Sequence, residues 1–236
     1  LNFTGTISGT GNLTLQPLTP SQGIQLGGAD SGSTSILDLT ATELNSLQNT
    51  FTSITIGGTN NSGAITLGSD VTFPTPVTLQ SGSINTTAGT LTGEGNATIT
   101  LLANQDIITD DIINRDRALT ITSNNGAITT GNLTAGALTL TTNGGDISVS
   151  SSNPIAFSGS GVVQTRGGDI NISTTDFQGG GVILNTNNPT GKGGDIYLNA
   201  NSGKLAIANL ISSGLTGGDI VVQAEFEITT GTINTS

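Results

Sequence analysis

The sequence predicts an all-β chain, a right-handed parallel β-helix wound as a single-stranded solenoid of about ten turns, interrupted by one short helix near residues 41–48. Three observations carry this expectation: a four-fold motif, the alternation that follows each copy, and the composition. The motif Gly-Gly-Asp-Ile stands at 144–147, 167–170, 193–196 and 217–220, so its aspartates Asp146, Asp169, Asp195 and Asp219 are 23, 26 and 24 residues apart. After each copy, Ile147/Val149, Ile170/Ile172, Ile196/Leu198 and Ile220/Val222 alternate with Ser148, Asn171, Tyr197 and Val221. Side chains in a strand point to opposite faces in turn, which places the first set inward. Only 33% of the chain is hydrophobic and 3% aromatic, and only 9% is charged. Thr and Ile favour strands, and stacked Ile, Leu and Val can fill a narrow interior that lacks aromatic bulk.

The repeat runs beyond the four motif copies. Residues 118–122 (Ala-Leu-Thr-Ile-Thr) recur as 137–141 (Ala-Leu-Thr-Leu-Thr), and 125–128 recur as 144–147 at the same offset of 19. A fainter copy stands at 62–67. A period of roughly two dozen residues is too short for a propeller blade and suits one coil of three short strands and their turns. We treat 1–236 as one domain, with 1–60 an N-terminal part holding the helical insertion and 61–236 the regular repeats. Gly145, Gly168, Gly194 and Gly218, with the Asp that follows each, read as structural corners, because turn corners need the positive φ that Gly adopts freely. The Gly/Ser/Asn/Pro clusters at 150–154, 178–181 and 187–194 read as projecting loops.

Residues 40–48 break the strand pattern. Thr40 and Glu43 have capping-box spacing, and Leu44, Leu47 and Phe51 would share one helical face. About two turns of helix are expected, lying on the side of the solenoid. Neither end shows a capping segment, which leaves open strand edges suited to end-to-end stacking into filaments. The chain starts at Leu1 in the middle of a strand-like pattern, as a processed product or an excised fragment would.

Residues 23–58, the Gly-Gly-Asp-Ile strands and the tract 82–131 resemble segments of filamentous-haemagglutinin-like surface exoproteins, particularly long cyanobacterial ones. The resemblance covers essentially the whole chain. It implies a large secreted protein of right-handed parallel β-helical fold, many relatives being exported by two-partner secretion and acting as adhesins or surface filaments. The family's export domain carries Asn-Pro-Asn signatures; the nearest approaches here are residues 187–189 and 153–154, so the chain reads as stalk rather than export domain. The expected partners are further copies stacked end to end, or a glycan or protein of a host or cell surface.

Composition excludes several function classes. With no Cys and no His there is no disulfide, no nucleophilic triad and no His/Cys metal site. Net charge is −11, and residues 1–114 hold eight acidic and no basic side chains, which cannot neutralise phosphates of nucleic acid or dock to anionic lipid. No stretch is apolar and long enough for a membrane helix. The densest polar cluster is Asp106, Asp110, Asp111, Arg115, Asp116 and Arg117. Its aspartates are candidate ligands of a weak Ca²⁺ site, although a solvated turn explains them as well. The four motif aspartates could bridge Ca²⁺ between turns, but stacked like charges repel, and capping of corner backbone explains them more simply. No catalytic residue and no cofactor is expected.

Three function classes remain. A stiff structural or adhesive module leads. A polysaccharide-binding or polysaccharide-active β-helix would need carboxylates and aromatics along a groove. An ice-binding solenoid would need an unbroken threonine ladder, whereas Thr98/Thr100, Thr120/Thr122 and Thr139/Thr141 give way to Ser148/Ser150, Asn171/Ser173 and Tyr197/Asn199 in the motif strands.

Overall fold

The chain alternates short apolar-polar strands with glycine- and asparagine-rich turns, and such strands bury one side only by wrapping round a common axis. The computed structural model, which describes residues 5–157 and 159–236 and only the backbone of Asp116, is a parallel β-solenoid of about eight turns. Each regular turn carries three strands. Ser53–Gly57 lies on what we call face 1, Ala64–Leu67 on face 2 and Val71–Phe73 on face 3. Face 2 is a ten-stranded parallel sheet. Faces 1 and 3 form one fourteen-stranded sheet, because strands such as Ile112–Ser123 and Leu133–Thr142 run round the corner between them. A register shift between Asn114 and Ala118 marks that corner.

The core is built as columns. On face 2, Ile24, Ile65, Ile84, Ile107, Ile128, Ile147, Ile170, Ile196 and Ile220 are consecutive register partners. All but Ile220 are buried. A β-branched side chain has one preferred rotamer per backbone setting, so identical stacked isoleucines pack without distortion. On face 1 the inward column includes Ile56, Leu79, Leu101, Ile121, Leu140 and Val163, all essentially inaccessible. Face 3 holds the buried aromatics Phe73, Phe157 and Phe177. The rings of Phe157 and Phe177 meet edge to face, centroids 6.2 Å apart. Gly179 leaves them room, since a Cβ there would stand 2.4 Å from Phe177 Cε1.

The isoleucine column explains why there are about eight turns rather than ten. Its members are 19 to 26 residues apart, except that Ile24 and Ile65 are separated by twice a normal turn. That interval holds strand Ile36–Thr40 and helix Ala41–Ser46. The strand pairs with Gly23–Gly27 on the edge away from Ala64–Leu67, and the helix packs against these two strands. The helix is therefore at the N-terminal end of the stack, not on its side, and is one residue pair shorter than expected. Its capping box is formed: Glu43 N–H donates to Thr40 Oγ1 at 3.3 Å, and Thr40 N–H donates to Glu43 Oε2 at 2.9 Å. Leu39, Leu44 and Leu47 join the core there and cover the first turn. At the other end, Ile228, Ile233 and Phe226 are exposed.

Two expected loops are strands. Residues 178–181 fall inside Phe177–Asn185, where a register shift between Gly179 and Ile183 turns the corner from face 3 to face 1. Asn188–Lys192 pairs with Gly214–Thr216 as a small ladder of its own outside the main faces.

Candidate functional site

One solenoid turn spreads about two dozen residues round the whole perimeter, so neighbours in sequence need not be neighbours in space. The acidic cluster is dispersed in this way. Asp106 precedes the face 2 strand Ile107–Ile108, Asp110 and Asp111 follow it, and Arg115 and Arg117 lie at the corner between faces 3 and 1. Arg117 donates to the preceding turn, from Nε to Gly95 O at 3.1 Å and from Nη2 to Asn96 Oδ1 at 2.7 Å. The Asp116 side chain lies outside the described residues. No group of three or more His, Cys, Asp or Glu able to hold a metal forms among the described residues.

What the aspartates do instead is bond the next turn. Asp106 Oδ1 accepts the Ala127 N–H at 2.9 Å. Asp146 accepts from Asp169, Asp169 from Asp195, and Asp195 from Asp219, each at 2.8 Å and each through the backbone N–H. Asp106 thus stands in the same column as the four motif aspartates, interrupted only by Ala127. At the next corner Asp111 Oδ1 accepts from Asn132 Nδ2 at 2.7 Å, and Asn132 Oδ1 accepts Ser152 N–H at 3.1 Å. Asp110 packs over Gly131.

The corner glycines are required for a reason other than the one expected. Gly145, Gly168, Gly194 and Gly218 do not have positive φ; the preceding Gly144 and Gly167 do, at 103°. The second glycines are needed because backbones touch. A Cβ on Gly145 would lie 2.1 Å from Gly126 O, on Gly168 2.4 Å from Gly145 O, on Gly194 2.0 Å from Gly168 O, and on Gly218 2.5 Å from Gly194 O. The sequence reading also missed what fastens this corner from inside. Thr142, Thr165 and Thr186 are buried, and their hydroxyls donate to the carbonyls of Gly145, Gly168 and Gly194. Ser212 Oγ donates to Gly194 O and accepts the Gly218 N–H, both at 2.7 Å. The signal was available: each hydroxyl sits two residues after an inward apolar residue, where period-2 alternation also points inward.

One carboxylate of the ladder, Asp195, carries a pH dependence. The Asp219 N–H bond, foremost, and then Lys192, whose Nζ is 3.4 Å from Oδ1, hold the Asp195 carboxyl below its usual 3.8. Desolvation opposes this but does not win. A lowered folded-state pKa means the ionised form is bound more tightly in the fold. The resulting stabilisation is complete above pH 3.8 and is lost as pH falls through the folded value. Thermal melts should therefore lose a small increment of stability as pH falls below 3.8, and Asp195→Asn should remove that increment. Asp169→Ala removes the acceptor of the Asp195 N–H and should cost about 1 kcal/mol at neutral pH, kept small by the exposure of the corner; urea denaturation measures it. Tyr197 shows the complementary effect: the nearby Asp195, foremost, then burial and the charges of Asp219 and Asp169 raise its phenol.

Face 1 differs from the corners. Its outward central column reads Thr14, Thr55, Thr78, Thr100, Thr120 and Thr139 in unshifted register, then Val162, Ile183 and Asn209. The expected break in the threonine ladder compared two different faces: the Ser148, Asn171 and Tyr197 strands belong to face 2. No outward position of face 1 among the described residues is charged, in a chain with 16 acidic and 5 basic side chains. On face 2, Ser148, Ser150, Asn171, Ser173, Tyr197 and Asn199 line a shallow open groove.

Fold and surface together define a repeat protein of the parallel β-solenoid class, with carboxylate and glycine ladders at its corners. Compared with protein-family models, curated proteins and solved structures, the chain matches none.

Proposed function

We propose that the chain is a stiff structural module of a secreted or cell-surface fibrous protein of the filamentous-haemagglutinin type, with a mechanical and adhesive rather than catalytic role. The observation that carries this reading is the nine-member isoleucine column, which joins every turn to the next in one register. A stack of about eight turns at roughly 4.8 Å per turn makes a rod about 40 Å long. Any load along the axis is shared by ladders on all three faces, and the corner carboxylates add bonds in the same direction. Projecting segments such as Asn188–Lys192 with Gly214–Thr216 are where a surface glycan or protein would be met. Further turns or further copies stacked on the Ile228 and Ile233 edge would extend the rod. Antibody labelling of intact source cells, before and after external protease, tests the location. Labelling that appears only after lysis would rule out a surface role.

A second reading, polysaccharide binding, is favoured by the face 2 groove, where neutral amides and hydroxyls line up beside the exposed Tyr197 ring. A glycan array probed with wild type and Tyr197→Ala decides it: hits lost in the variant support the groove, and an empty array removes it.

A further inference from the structure

We propose that face 1 is an ice-binding surface. This goes beyond the rod reading and does not depend on it, so its failure would leave the mechanical role intact. Six threonines, Thr14 to Thr139, occupy one outward column with no register shift. Strand pairing fixes their repeat at about 4.8 Å over a length of about 24 Å. Two residues further along, about 6.7 Å to one side, Thr122 and Thr141 add a second outward threonine in two adjacent strands, and Leu102 and Gln80 continue that register. The result is a single six-member column of hydroxyl and methyl groups, widened at two strands, with an axial repeat close to that of oxygen atoms in hexagonal ice.

Two features point to a periodic solid rather than to a folded partner. A protein partner is held by a few large anchors in pockets, and this column repeats one small branched side chain instead. The hydroxyls of Thr55, Thr78, Thr100, Thr120 and Thr139 donate to and accept from no described residue, whereas the hydroxyls of Thr142, Thr165 and Thr186 at the motif corners are engaged. Among the described residues charge is kept off the face, while it lines the corners on either side. A charged group organises water round itself and disrupts a lattice, whereas methyl and hydroxyl groups held at lattice spacing order it. The backs of these strands are rigid core, Leu79, Leu101, Ile121 and Leu140 being wholly buried, so the column keeps its spacing without being ordered by the ligand.

The test is ice-affinity partition together with the gap between melting and freezing points of a seeded crystal, on the chain as it stands. Wild type should concentrate several-fold into the growing ice and open a measurable gap. The pair Thr100→Tyr/Thr120→Tyr should lower both effects at least tenfold with an unchanged melting midpoint. Thr120→Lys serves where that pair fails to fold, and Ser173→Tyr on face 2 should change nothing. Wild type without a gap, or variants as active as wild type, would overturn the assignment. So would depletion of wild type by crystalline cellulose or chitin through the same threonines, or a dimer that Thr120→Lys dissociates; either result would give the face to another occupant.

Discussion

Replacing Gly194 by alanine is expected to destabilise the solenoid by about 3 kcal/mol or more, one of the largest single-residue effects available in the chain. The new Cβ would stand 2.0 Å from Gly168 O and 2.5 Å from Gly168 C, both backbone atoms that cannot swing aside. Moving Gly194 outward instead would draw its carbonyl from the two buried hydroxyls that donate to it, Thr186 Oγ1 at 2.6 Å and Ser212 Oγ at 2.7 Å. Either route breaks the contact between two adjacent turns, and in a linear stack stability is the sum of such contacts. Gly180→Ala is the control: nothing lies within 4 Å of its Cβ position and its φ is not positive. That substitution should be neutral or slightly stabilising, since it only restricts the unfolded chain. Urea unfolding measures both, and hydrogen exchange should show lost protection in Gly194→Ala centred on the motif corners at 167–170, 193–196 and 217–220. Equal midpoints for the two variants would mean that close approach is not what these corners require.

The contrast between these glycines shows how much of the molecule could be read from the sequence. The Gly-Gly-Asp-Ile motif located the corners and the inward isoleucines, because motif and alternation agreed on the same residues. Upstream members of the column, Ile84 and Ile107, carried no full motif, yet Asp106-Ile107 has the same capping aspartate before the same inward isoleucine. The acidic cluster at 106–117 misled because proximity in sequence means little when one turn encircles the axis. The threonine ladder was lost for a related reason: strands following one another in sequence lie on different faces, and only strands one full turn apart are neighbours. Drift in turn length from 19 to 26 residues hides that phase until register is known. The helix was legible because capping is a local matter, whereas its position depended on Ile36–Thr40 pairing backwards with Gly23–Gly27.

The hardest residues to read were threonines that point inward, and they give the second large prediction. Thr86, Thr109 and Thr130 follow one another in a single inward column of face 2, in the register of Leu67 below and Val149 above. All three are buried, and none of their Oγ1 atoms has a hydrogen-bond partner. Threonine suits either side of a strand by propensity, so residue type does not separate them from the outward set, and only their place two residues after the inward Ile84, Ile107 and Ile128 does. An unpartnered buried hydroxyl carries its desolvation cost without return, about 1 kcal/mol or more each. Valine replaces the hydroxyl by a methyl of nearly the same shape, and Val149 already occupies the next position of the column. The triple variant Thr86→Val/Thr109→Val/Thr130→Val should therefore gain about 3 kcal/mol, less whatever coupling three stacked neighbours introduce. The gain should appear in the urea midpoint with an unchanged slope, since the surface exposed on unfolding is the same. A triple variant less stable than wild type would mean that these hydroxyls are bonded in solution, to water held inside the column. The core of the central turns would then be wetter there than along the isoleucine column beside it.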